Sequence, residues 1–144
     1  MSSAIPAWFT WALLSAVFAA LTAVFAKVGV QDIDSDLATL VRTSVIVPVL
    51  LALVWGTGKW ANPLAIAPRT WLFLGLSGLA TGASWLCYFR ALKIGDASKV
   101  APVDKLSVVL VAVFAFLFLG ERPSEREWAG IAMVAAGVLL LAWR

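Results

Sequence analysis

Three ionisable residues stand inside runs of sequence that are otherwise apolar. Arg42 lies about two turns into the run 36–55, and Asp104 and Lys105 lie about two turns into the run 98–119. Ionisable groups are costly in hydrocarbon, so each is by default a candidate for a functional site. Arg42 and Lys105 would attract an anionic or zwitterionic ligand. Asp104 would pair with a cation or carry a coupling proton. In an ideal helix Asp104 and Lys105 point about 100° apart, so they are expected to face different partners. Lys27 closes the first apolar run and Arg90 stands near the end of the third. Long basic side chains so close to a helix end can snorkel to the headgroups.

Hydroxyls are ordered as well. Ser77, Thr81, Ser84 and Tyr88 follow one another at helical steps. So do Trp8, Trp11, Ser15, Phe18, Thr22, Phe25 and Gly29 in the first run, which places each set on one helix face. In lipid such groups turn toward protein or water. Two readings stay open: hydrogen bonds between helices, or the wall of a polar cavity. The cavity reading takes in Trp11, Ser15, Thr22, Arg42, Ser77, Thr81, Ser84, Trp85, Tyr88, Asp104 and Lys105. Gly75, Gly78 and Gly82 share a face, Ala12, Ala16, Ala19 and Ala23 share another, and Gly130 and Gly137 are a heptad apart. Small faces let helices approach closely, so packing is their expected role.

No glycine-rich phosphate loop, metal-ligand cluster or nucleophile elbow occurs. Histidine is absent, which removes the commonest metal ligand. The expectation is therefore no enzyme, no cofactor and no metal. The single cysteine, Cys87, stands among apolar residues and is expected to fill core space.

Helices must position these residues. Of the 144 residues 62% are hydrophobic and 13% charged, and mean hydropathy is +0.97. A soluble domain is nearer one half apolar and one quarter charged. Crossing a bilayer takes about 20 mostly apolar residues. Five segments meet that or come close: 6–28, 36–55, 70–92, 98–119 and 124–143. The spacing predicts an all-α membrane protein, a bundle of five transmembrane helices with short loops, as one domain over 1–144. Asp34, Ser35 and Asp36 are candidate caps for the second span. Gly95 and Gly120 are stops for the third and fourth. Ser124 and Glu127 have capping-box spacing for the fifth. Pro48 and Pro102 lie inside spans, which a membrane bundle tolerates where neighbours satisfy the freed carbonyls. The first segment is not expected to be a signal peptide, because no Lys or Arg precedes it and its apolar run is too long. Trp8, Trp55, Trp60, Trp71 and Trp128 fall on the side of the N-terminus and Trp143 on the other, as interfacial anchors do.

The net charge of +3 lies at span ends and in loops, which suits membrane orientation rather than nucleic-acid binding. On the side of the N-terminus stand Lys59, Arg69, Arg122 and Arg126. The other side has Lys27, Arg42, Arg90, Lys93, Lys99 and Arg144, with Lys105 deeper. Setting aside Lys27, Arg42 and Lys105, which fall within spans, leaves four against four. Orientation is poorly specified, so a single topology and a dual one both stay open.

The stretch Tyr88-Phe89-Arg90-Ala91-Leu92-Lys93-Ile94-Gly95-Asp96-Ala97-Ser98-Lys99-Val100-Ala101-Pro102 resembles the third-to-fourth span junction of the EamA domain of the drug/metabolite transporter superfamily. Phe118-Leu119-Gly120-Glu121-Arg122-Pro123-Ser124 resembles that domain's fourth-span exit. Trp128-Ala129-Gly130 through Gly137-Val138 resembles its glycine-spaced last span, and Arg42 matches an arginine common in its second. The resemblance covers essentially the whole chain. It implies a multi-pass protein of the bacterial inner membrane that moves a small-molecule substrate. The common family form has ten spans in two such domains, and this sequence holds one, as in short single-domain members. Five being odd, two tandem repeats must be inverted, with the substrate site between them. A single repeat is then expected to rebuild that site as a homodimer, antiparallel if copies insert both ways. The competing expectation is a non-transporting subunit or scaffold that pairs with another membrane protein.

Overall fold

The structure, a computed structural model, describes residues 6–143. Helix is the only regular structure among them. The helices are α1 (Ala7–Gly29), α2 (Ser35–Gly56), α3 (Pro68–Ile94), α4 (Ala97–Asp104), α5 (Ser107–Phe114) and α6 (Glu125–Ala142). A 3₁₀ turn, Pro63–Ala65, lies before α3, and a π-helical turn, Ala115–Leu119, continues α5.

Four stretches are long and apolar enough to cross a membrane: α1, α2, α3 and Ala97–Leu119. The last helix, α6, has 18 residues, about 27 Å of rise. Glu125, Arg126 and Glu127 occupy its first turn, so its apolar stretch is 128–142, about 22 Å. That is short of a full hydrocarbon thickness, which favours local thinning over tilt. The chain is an all-α membrane protein.

The caps explain where the helices start. Asp34 Oδ1 accepts from the backbone N–H of Asp36 at 2.9 Å and of Leu37 at 3.2 Å, which fixes the start of α2. Ser124 and Glu127 form the reciprocal box at α6: the Ser124 N–H donates to Glu127 Oε2 at 2.6 Å, and the Glu127 N–H donates to Ser124 Oγ at 3.4 Å. Gly120 closes the π-helical turn with φ of 71°, a conformation in which a Cβ is strained. Inside the apolar helices, hydroxyls turn back on their own helix. Thr39 donates to the Ser35 carbonyl, Thr43 to Thr39, Ser44 to Leu40 and Thr81 to Ser77, at 2.8 to 3.0 Å. Such bonds hide a polar group where no water is at hand.

The two internal prolines differ in outcome. The helix α2 runs unbroken past Pro48. The expected continuous span 98–119 is instead divided, with Lys105 and Leu106 between α4 and α5. There the ladder tightens: Lys105 N–H donates to the Pro102 carbonyl and Leu106 N–H to that of Val103, each at 3.0 Å and each three residues back. Pro102 has no N–H for the Ser98 carbonyl, so the ladder is already interrupted on the N-terminal side of the break.

Internal contacts divide the chain into two compact units. One takes in the chain up to Val24 and again from Gly95; the other is Phe25–Ile94. In the first, α6 packs on α4 and α5, and Ala115 and Val138 are buried. In the second, α2 packs on α3. Its core lies where the turn after α1 meets the end of α3, with Val30 and Leu92 fully buried and Ala26, Ala38 and Phe89 nearly so. Most other large apolar side chains are exposed, as in helices whose solvent is lipid.

Candidate functional site

Within Phe25–Ile94, α2 lays Arg42 across two aromatic rings of α3. Arg42 Cζ lies 4.1 Å from the centre of the Trp85 ring and 5.4 Å from that of Phe89. Trp85 and Phe89 are one turn apart and so share a helix face. Phe89 is 3% exposed and meets Tyr88 edge-on at 6.5 Å. Arg42 and Trp85 are half-buried. Arg42 stands seven residues beyond the start of α2, about 10 Å along its axis.

Magnitudes show what this arrangement leaves over. A charged side chain at the centre of a membrane helix costs about 2.5–3.5 kcal/mol. A desolvated guanidinium on an aromatic face recovers about 2 kcal/mol. The rings and the position short of the midplane therefore offset most of the cost without neutralising the charge. Arg42 takes part in none of the ion pairs among the described residues. The acids of its own unit are otherwise placed: Asp36 is bound by Arg90, Asp34 caps α2, and Asp32 lies in the exposed turn before it.

Three other cations of this unit, Arg90, Lys27 and Lys93, are structural. Arg90 forms a fork on Asp36, Nε to Oδ1 at 3.0 Å and Nη2 to Oδ2 at 2.7 Å. Lys27 Nζ donates to the Leu92 carbonyl at 2.7 Å, and Lys93 Nζ donates to the Ile33 carbonyl. Each ties α1, the α1–α2 turn or the start of α2 to the end of α3. Lys27 also places a positive charge at the carbonyl end of a helix, where the dipole favours it. Lys27 and Arg90 thus engage protein groups instead of snorkelling.

The remaining candidates divide between the units. Arg42, Ser77, Thr81, Ser84, Trp85 and Tyr88 belong to Phe25–Ile94; Trp11, Ser15, Thr22, Asp104 and Lys105 belong to the other. The structure brings Arg42 and Trp85 into contact, and Asp104 and Lys105. Lys105 Nζ lies 3.4 Å from Asp104 Oδ2, so the expectation that these neighbours face different partners is corrected. Lys105 has left the regular α-helix, and its long stem reaches back to the carboxylate. Cys87 is exposed, not a core filler, because it lies off the face that carries Trp85 and Phe89. Sequence reasoning missed Phe89 and gave Asp36 only a capping role. Phe89 was findable as the residue one turn beyond Trp85. The Arg90–Asp36 contact joins residues 54 apart, which local spacing does not reveal.

Apolar helices of membrane length with ionisable groups inside them define a multi-pass membrane protein. The model of the EamA-like transporter family matches residues 6–143, and the chain belongs to that family. It is 67% identical over 135 residues to a Sinorhizobium protein named "Uncharacterized transporter in cobO 3'region", a match covering 94% of this chain and 96% of that one. It is 32% identical over 85 residues to the probable 4-amino-4-deoxy-L-arabinose-phosphoundecaprenol flippase subunit ArnE of Yersinia pestis, covering 58% of this chain and 75% of that one. No solved structure matches it. Family and relatives make it a multi-pass bacterial membrane protein of a transporter family.

Proposed function

We propose that this protein is a secondary transporter of small metabolites that works by alternating access as an antiparallel homodimer. The observation that carries the reading is the family match, one copy over 6–143, together with a transporter-named relative aligned along nearly its whole length. In this reading 1–144 is a single EamA-like domain, equivalent to one inverted repeat. Two copies facing opposite ways form the substrate site between them. Arg42, Trp85, Tyr88 and the hydroxyls of Ser77, Thr81 and Ser84 contribute from α3 and α2, and Trp11, Ser15 and Thr22 from α1. Asp104 and Lys105 sit at the break between α4 and α5, and discontinuous helices are where such transporters bind substrates and ions. An added Cβ at Gly75, Gly78, Gly82, Gly130 or Gly137 would meet nothing within 4 Å, so these faces are open to close approach by another helix.

The name of the Yersinia relative favours a second reading, a non-transporting subunit that pairs with a different membrane protein. Reconstitution separates the two. Purified protein in proteoliposomes, offered amino acids, organic anions and amines, moves at least one class if the first reading holds. Transport of none, with recovery of a stable complex with another membrane protein from native membranes, establishes the second.

A further inference from the structure

Arg42 is clamped but not neutralised. Its guanidinium lies over Trp85 at 4.1 Å and within reach of the Phe89 face at 5.4 Å. A guanidinium carries five N–H donors along its edges, more than a ring beneath it can engage. No ion pair among the described residues uses those edges. In its own unit Asp36 is bound by Arg90, Asp34 caps α2 and Asp32 lies in the exposed turn before it. The contrast with Arg90 in the same unit is direct, since the edge of that arginine is filled by the Asp36 fork.

From this geometry we infer that Arg42, held by Trp85 and Phe89, is an oxyanion-binding site that takes the carboxylate or phosphate group of the transported molecule. The inference rests on the transporter reading and deepens it by naming a substrate class. A planar guanidinium with a free edge matches the two oxygens of such a group. The rings hold it in place beforehand, so little side-chain freedom is lost on binding. Its depth, about 10 Å along α2, lets a soluble anion enter from the near surface or an amphiphile present its headgroup from the leaflet. Lysine would supply the charge without the fork.

The test uses the full chain in phosphatidylcholine nanodiscs. One arm titrates inorganic phosphate and acetate by calorimetry. The other adds phosphatidic acid and counts bound lipid by native mass spectrometry. Wild type is expected to bind in at least one arm, and the arm identifies a soluble or a lipid source. Arg42→Gln and Arg42→Lys are each expected to weaken binding about tenfold or more. Lys59→Gln, in the loop after α2, should leave it unchanged. Equal binding by wild type and Arg42→Lys, or no binding dependent on Arg42 in either arm, overturns the inference. Proteoliposomes of the same preparations keep its failure apart from that of the transporter reading. Movement of an amine that Arg42→Gln leaves intact sustains transport and sinks the oxyanion site. Oxyanion binding that depends on Arg42, with no transport of any probe, does the reverse.

Discussion

Arg42 and Arg90 are both arginines in apolar helices, and their partners give them different work. Arg90 is saturated by Asp36 and holds the start of α2 to the end of α3. Breaking that fork leaves one charge without its partner at a helix junction. Asp36→Ala and Arg90→Ala should each lower the melting temperature in detergent, and the exchanged pair Asp36→Arg with Arg90→Asp should recover part of the loss. No recovery would mean that the ion pair does not hold the junction. At this scale the sequence was informative where a residue type stood out from its surroundings. A guanidinium in an apolar run marks itself, so Arg42 was legible. Phe89 was not, because one more phenylalanine in a hydrophobic helix carries no signal until its neighbour across the pair is known. Asp36 carried a plausible local role as a cap, which hid its distant one.

Helix ends were legible because caps and stops are written in a few adjacent residues. Asp34, Gly120 and the Ser124–Glu127 box all act where their spacing predicts. Ser124→Ala removes the hydroxyl that accepts from the Glu127 N–H, and should destabilise the start of α6 by about 1 kcal/mol. Hydrogen exchange at residues 125–128 is the direct readout, with faster exchange expected there than in α2. The break between α4 and α5 was not legible. Pro48 and Pro102 look alike in sequence, yet α2 continues through the first while the fourth span tightens one turn after the second. What decides is whether the turn that follows keeps its four-residue bonds, and no residue type states that. Pro102→Ala restores a donor for the Ser98 carbonyl. It should stabilise the stretch, by roughly 1 kcal/mol or more, and slow amide exchange between 102 and 109. If the break serves alternating access, the same variant slows transport while it raises stability.

At the scale of the whole molecule the odd number of spans governs the reading. Four stretches of membrane length and the shorter α6 match a single copy of the family domain. With α6 as a fifth crossing the two ends of the domain lie on opposite sides, so two such domains that face each other as repeats must be inverted. The basic residues near the span ends and in the loops do not choose a side: with Lys27, Arg42 and Lys105 set aside, Lys59, Arg69, Arg122 and Arg126 balance Arg90, Lys93, Lys99 and Arg144. Lys27 and Arg90 bear on this balance, since both are bound within their own unit to the end of α3 or the start of α2. Adding three lysines to the loop before α3 should therefore fix the orientation and abolish any activity that needs both. The central claim, an antiparallel pair, is tested most directly by reporters fused at the C-terminus: alkaline phosphatase, active outside the inner membrane, and green fluorescent protein, fluorescent inside. The predicted result is strong signal from both fusions of the unaltered chain. Signal from one fusion alone, at any expression level, would contradict an antiparallel homodimer.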